Sequence, residues 1–178
     1  MRIAVSGVPG TGKTEISKLL SKKINYKLIS INELAEQLDA FVGYDKEMES
    51  KILDMNKLKK KIKKLKGNII LEGHTSHLFL VDTVIVLRCN PEILKERLEK
   101  RYPSNHSKVQ ENLEAEILGV ITSEAIMNNK KVYEIDTSGK SVEKNVDEIL
   151  KILDGKTDDF RVGKIDWLEK YSDWIELS

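Results

Sequence analysis

The sequence predicts a three-layer α/β/α fold around a five-stranded parallel sheet. Two patterns carry this expectation: five short runs rich in Ile and Val recur along the chain, and longer segments of helical period separate them. Size supports it, because 178 residues, 40% hydrophobic and 33% charged, suffice for one compact domain with a core. A collagen, a disordered tail and a disulfide scaffold are excluded.

The first run, Arg2–Ser6, gives a buried strand, and Lys13–Ile24 a helix. Tyr26–Ser30 is the second strand and Ile31–Leu38 the second helix. A third helix is expected over Lys46–Leu65, where Ile52, Met55, Leu58, Ile62 and Leu65 form an apolar line at helical spacing. Seven Lys surround that line between Asn56 and Lys66, so one face packs and the other is basic. Strands follow at Asn68–Glu72 and Thr83–Arg88. Pro91, after Asn90, opens the helix Pro91–Arg101, because proline tolerates the first helical turn. A helix over Lys108–Asn128, a strand at Val132–Asp136 and a helix over Val142–Leu153 complete a unit at 1–153 without an internal repeat. The tail at 154–178 is acidic on balance. Its Trp167, Leu168, Tyr171, Trp174 and Ile175 predict an amphipathic helix with an aromatic face.

Thirty basic and 29 acidic residues nearly cancel, so no global charge drives the chain toward nucleic acid or membrane. Any nucleic-acid contact is confined to the Lys57–Lys66 face. The single Cys89 excludes an intrachain disulfide and fits a reducing, cytoplasmic setting. The first residues are too short an apolar run for a signal peptide, and no stretch approaches the roughly 20 apolar residues of a membrane span.

Directly after the first strand stands Gly7-Val8-Pro9-Gly10-Thr11-Gly12-Lys13-Thr14, a full G-x-x-x-x-G-K-[ST] phosphate loop. Glycines let backbone N–H groups converge on phosphate, and the following helix start favours negative charge. Lys13 would reach the β- and γ-phosphates of ATP, and the Thr14 hydroxyl would ligate Mg²⁺. Gly7, Gly10, Thr11, Gly12, Lys13, Thr14, Glu15, Arg101 and Lys140 form the expected ATP-binding set. A GTP switch is disfavoured, since no Asn-Lys-x-Asp motif occurs and Asp136–Gly139 comes too late. The length points instead to a small kinase of nucleotides or metabolites.

Glu72 ends a strand at the sheet edge where ligands gather in open α/β folds. It is the candidate to orient Mg²⁺, directly or through water, and His74 would face the reacting phosphates. His77 and His106 have weaker claims, and no zinc site is signalled. Only five of the 30 basic residues are Arg, and Arg88, Arg97 and Arg101 fall within fourteen positions. Arg97 and Arg101 share a helical face and offer planar forks for phosphate, or else pair with Glu96 and Glu99. The polar segment Arg101–Lys108 would act as a short lid that excludes water.

Taken together, these residues resemble the adenylate kinase isoenzyme 6 (CINAP) family in its archaeal form. The resemblance runs through residue 153. It rests on Gly7–Thr14, Val42-Gly43-Tyr44-Asp45, Ile52-Leu53-Asp54, Glu72-Gly73-His74, Val86-Leu87-Arg88, Glu96-Arg97-Leu98, Arg101-Tyr102 and the Asn112…Glu116 helix. It implies the nucleoside monophosphate kinase variant of the P-loop NTPase fold, with an acceptor arm at about 29–52 and a metal-free lid at about 101–108. The implied activity is phosphotransfer from ATP to AMP or another monophosphate, with slow ATPase turnover. The implied partners are ribosomal protein uS11 and small-subunit rRNA during ribosome maturation. Glu72 stands where eukaryotic relatives have Asp, and Glu36 where they have Arg. The acceptor site is therefore expected to use Tyr44, Asp45, Lys46 and Arg88, with Lys51 or backbone groups in support. Two other readings are an ATP-driven assembly factor, with the Lys57–Lys66 face and the Trp167/Trp174 tail as hooks, and a metabolite kinase of shikimate type. The latter leaves the Gly43–Asp54 resemblance unexplained.

Overall fold

The computed structural model describes residues 1–176. In chain order the elements are β1 (Arg2–Ser6), α1 (Lys13–Ile24), β2 (Lys27–Ser30), α2 (Ile31–Leu38), β3 (Phe41–Asp45), β4 (Ser50–Leu53), α3 (Met55–Lys64) and β5 (Ile69–Glu72). Then come β6 (Thr83–Arg88), α4 (Pro91–Arg101), α5 (His106–Ile117), α6 (Val120–Asn128), β7 (Val132–Asp136), α7 (Val142–Leu153) and α8 (Leu168–Tyr171). Five strands form one parallel sheet in the order β2-β5-β1-β6-β7. Successive residues of each strand point to opposite faces, and both faces are covered, which is why the strands are almost wholly apolar. Ile3, Val5, Ile70, Ile85 and Leu87 pack on one face against Ile16 and Leu20 of α1 and Val146 and Ile149 of α7. On the other face Ile69 and Leu71 meet α2 and α3, while Ala4, Val84 and Val86 meet Ala125 of α6. β1 lies at the centre, so the loop after it opens at the point where the chain winds off in both directions.

Three segments differ from the sequence expectation. Lys46–Leu65 is not one helix: β3 and β4 form an antiparallel hairpin, and α3 starts only at Met55. Asp45 closes the hairpin turn by accepting from the N–H groups of Glu47 and Met48 at 3.0 and 2.9 Å. Asp54 then caps α3 by accepting from the Lys57 N–H at 3.0 Å, so the helical line begins one turn later than the apolar spacing suggests. Lys108–Asn128 is likewise two helices, broken at Gly119, whose φ of 63° is left-handed. The tail forms no continuous helix. It has a bridge between Arg161 and Tyr133, the single turn α8 and a 3₁₀ turn at Ser172–Trp174. Its Trp167, Tyr171 and Trp174 stack edge to face on one another and pack against Leu94, Leu98, Leu113 and Ile117. The tail's last two residues, 177 and 178, lie outside the described residues. Among those described, no helix is long and apolar enough to cross a membrane.

Candidate active site

The phosphate loop joins β1 to α1 over the C-terminal edge of the sheet. Gly7 is obligatory: a Cβ there would sit 2.6 Å from the Leu87 carbonyl oxygen and 2.8 Å from Thr11 Oγ1. Thr11 is fully buried and donates to the Val8 carbonyl at 2.9 Å, so it braces the loop from inside. Lys13 lies along the loop and donates from Nζ to the same carbonyl at 3.0 Å. Burial lowers its pKa to about 8; Glu72 opposes this and Arg101 adds to it. No side chain caps the start of α1, which leaves its first N–H groups available to an anion.

Glu72 and Thr14 meet across the loop, with Oγ1 to Oε1 at 3.4 Å, and Glu72 is only 8% exposed. His74, two residues on, lines the same cleft. Desolvation, then the charges of Lys13, His77 and Lys108, lower its pKa to about 4. The ring is therefore neutral at physiological pH. His77 is buried, bonded to Ser6 and Glu124, and faces away from the cleft.

A cleft of about 1250 Å³ runs from the loop to the β3–β4 hairpin. Gly10, Gly12, Lys13, Thr14, Glu72, His74, Arg97 and Arg101 line one end, and Tyr44, Asp45 and Lys51 the other. Arg97 donates to the Gly10 carbonyl at 2.8 Å, and Arg101 stacks beside Tyr102. The segment from Arg101 to Lys108 touches the hairpin tip: Asn105 donates to the Glu47 carbonyl at 3.0 Å and Lys108 to the Met48 carbonyl at 2.6 Å. Lys51 is shared between Glu36, at 2.9 Å, and the face of Phe41.

Four expected ligands lie elsewhere. Arg88 is 3% exposed and commits its guanidinium to Glu116, Glu134 and the Glu116 carbonyl. It ties β6 to α5 and β7 instead of reaching an acceptor phosphate, because its two carboxylate partners, distant in sequence, converge on it under the sheet edge. Lys140 pairs with Glu148 at 2.9 Å and lines a separate cavity of about 400 Å³. Lys46 stands in the exposed hairpin turn, off the cleft wall. Glu15 points outward from the first turn of α1 and pairs with Lys18. Conversely, Lys108, Glu111 and Asn112 line the cleft from α5. Their i, i+3, i+4 spacing was the available signal, but a solvated helix face has the same pattern.

A family model described as an AAA domain matches residues 3–119, from β1 through α5. A protein of Methanocaldococcus jannaschii named "Putative adenylate kinase" is 47% identical, with 99% of this chain and 98% of the relative covered. The chain belongs to this AAA-domain family. A second member bearing the same name, from Thermococcus onnurineus, is 43% identical over 99% of this chain and 96% of its own. Among solved structures, a deoxyadenosine kinase from M. mycoides with dCMP and dCDP bound gives a TM-score of 0.56 at 20% identity, covering 88% of this chain and 100% of that one. A shikimate kinase from Acinetobacter baumannii in complex with shikimate gives 0.60 at 14%, covering 87% and 93%. At such identities the likeness concerns architecture: the family member has the P-loop kinase fold, a parallel five-stranded sheet between helical layers.

Proposed function

We propose that the protein transfers the terminal phosphoryl group of ATP to a nucleoside monophosphate, ATP and AMP giving two ADP. The observation that carries this reading is one cleft in which a complete phosphate loop, the Thr14–Glu72 pair and two arginines of α4 face the acceptor hairpin. Full-length relatives named for adenylate kinase support the substrate class.

The bond from γ-phosphorus to the β-bridging oxygen breaks as one forms to an oxygen of the acceptor phosphate. Such a transfer asks for position and charge more than for covalent chemistry. Loop N–H groups and Lys13 hold the triphosphate. Arg97 and Arg101 neutralise the transferred group, and neutral His74 offers a hydrogen bond without adding charge. Lys51 and Lys108 are the cations nearest the hairpin end and would hold the acceptor phosphate. Thr14 and Glu72 supply hard oxygen donors, one of them buried, that fit Mg²⁺ held directly or through water. When bound, that ion would neutralise phosphate charge. Contacts from Asn105 and Lys108 to the hairpin tip join the two sides of the cleft, and closure there would exclude water as phosphotransfer rather than hydrolysis requires.

The finer assignment to the isoenzyme 6 family, with slow ATPase turnover and a place in small-subunit maturation, belongs to the same proposal. A second reading, an assembly factor with uS11 and rRNA as partners, is favoured by the basic face of α3 and the residues just after it, whose seven lysines from Lys57 to Lys66 are all exposed. The tail gives it less support, since its aromatic face is spent on its own domain. Incubation with ATP, Mg²⁺ and AMP, CMP, GMP or UMP in turn, measuring diphosphate and free phosphate, tests the choice. Matched formation of ADP and acceptor diphosphate is expected. Phosphate release indifferent to every monophosphate would overturn the kinase reading. Steep salt dependence of RNA binding, lost when the α3 lysines become Glu, would support the second.

A further inference from the structure

Beneath the phosphate loop runs a buried polar chain that the phosphotransfer reading does not use. Ser6, the residue before Gly7, is fully buried, and its hydroxyl lies 2.8 Å from His77 Nδ1. The same oxygen is 3.2 Å from the Gly73 carbonyl and 3.1 Å from the His74 carbonyl. His77 is 2% exposed, and its Nε2 lies 2.7 Å from Glu124 Oε2 on α6. The backbone that carries the ring is held by Asn129, which donates to the His77 carbonyl at 2.8 Å, and by Ser76, which donates to the Val5 carbonyl at 2.9 Å.

Counting hydrogens decides what this chain does. A serine hydroxyl owns one proton. If Nδ1 were bare, Ser6 would face three acceptors with that single proton; the Gly73 carbonyl also accepts from the Ser76 N–H at 3.1 Å, but the His74 carbonyl would be left against an oxygen lone pair. If Nδ1 carries hydrogen, His77 donates to Ser6 Oγ, and the serine proton is free for the two carbonyls of the Gly73–His74 turn. On the far side of the ring, Nε2 is held by its 2.7 Å contact with Glu124 Oε2.

We infer that His77 is a positioning residue: anchored by Glu124, it donates through Ser6 to the turn that carries Glu72 and His74 and so fixes both groups beneath the phosphate loop. The kinetic consequence rests on the phosphotransfer reading; the proton on Nδ1 does not. Ring ¹⁵N NMR of the full chain, with His77 assigned by its loss in His77→Asn, should show a protonated Nδ1 between pH 6 and 8. A pyridine-type Nδ1 signal would overturn the inference, whatever the enzyme's activity. In steady-state assays with folded variants, His77→Leu and Ser6→Ala should lower kcat at least tenfold while the ATP Kd stays within about twofold. His77→Asn keeps an N–H donor near the Nδ1 position and should recover most of that loss. Wild-type kcat in Ser6→Ala, or equal loss in the Asn and Leu variants, would overturn the positioning role.

Discussion

The phosphate loop and the β3–β4 hairpin face each other across one cleft, but they are held in different ways. The loop is eight contiguous residues clamped between buried β1 and α1, braced from inside by Thr11 and built largely of backbone donors. The hairpin is two short strands with Val42 and Tyr44 exposed at 67% and 58%, tied down by side chains of the lid. Its one well-placed cation, Lys51, is already engaged by Glu36. On the proposed reading, the grip on the triphosphate would be set before substrate arrives, whereas the grip on the acceptor would form by exchange of partners. Pre-organised contacts cost little ordering on binding, and exchanged ones cost more.

Lys13→Ala tests the preset side and should show the largest effect. A loss of about 10³-fold in phosphotransfer is expected, with circular dichroism and thermal unfolding unchanged, since one charged group in such a site is worth about that much. Near-normal turnover would remove the distinction between the two ends. Arg88→Met should act on the frame alone: with Glu116 and Glu134 left buried and unpaired, thermal unfolding should report a loss of roughly 3–5 kcal/mol. Raised acceptor KM at unchanged stability would instead return Arg88 to the acceptor site. Arg101→Ala should lower kcat about 10²-fold and ATP affinity much less, because a lid group matters most as charge shifts in the transition state.

On the exchanged side, Lys51→Ala should raise acceptor KM about tenfold with little change in kcat, the size of one charge-assisted contact offset by its existing pair with Glu36. The smallest effect concerns pH. Lys13, with its pKa lowered to about 8, is mostly charged at pH 7.5 and mostly neutral at pH 9. ATP requires the ammonium, so affinity should fall several-fold over that range with uptake of up to one proton, measured by calorimetry in two buffers of different ionisation enthalpy. An affinity that rises with pH would show that Lys13 does not bind the phosphates.

The parts of the site that follow one another along the chain were legible in the sequence. The residues of Gly7–Thr14 and Glu72–His74 stand where strand ends deliver them, and four-residue spacing put Arg97 and Arg101 on one face of α4. The acceptor arm was harder, because Ile52 extends the helical line of Met55, Leu58 and Ile62 by coincidence while Asp45 and Asp54 impose a turn and a cap. Arg88 misled for another reason. A scarce arginine at a strand end suits an anion site, but Glu116 and Glu134, 28 and 46 residues away, meet its guanidinium in the folded chain.

By itself, then, the sequence determined the five parallel strands, the phosphate loop and the class of ligand that loop accepts, because these depend on periodicity and on groups adjacent along the backbone. Only the tertiary structure decided which charged side chains face the cleft and which pair with one another, that the aromatic tail folds back onto α4 and α5, and that Ser6, His77 and Glu124 form one chain. Those outcomes depend on burial and on partners distant in sequence. A buried charge must find its complement wherever the fold brings one, and nothing local to the residue says where that is.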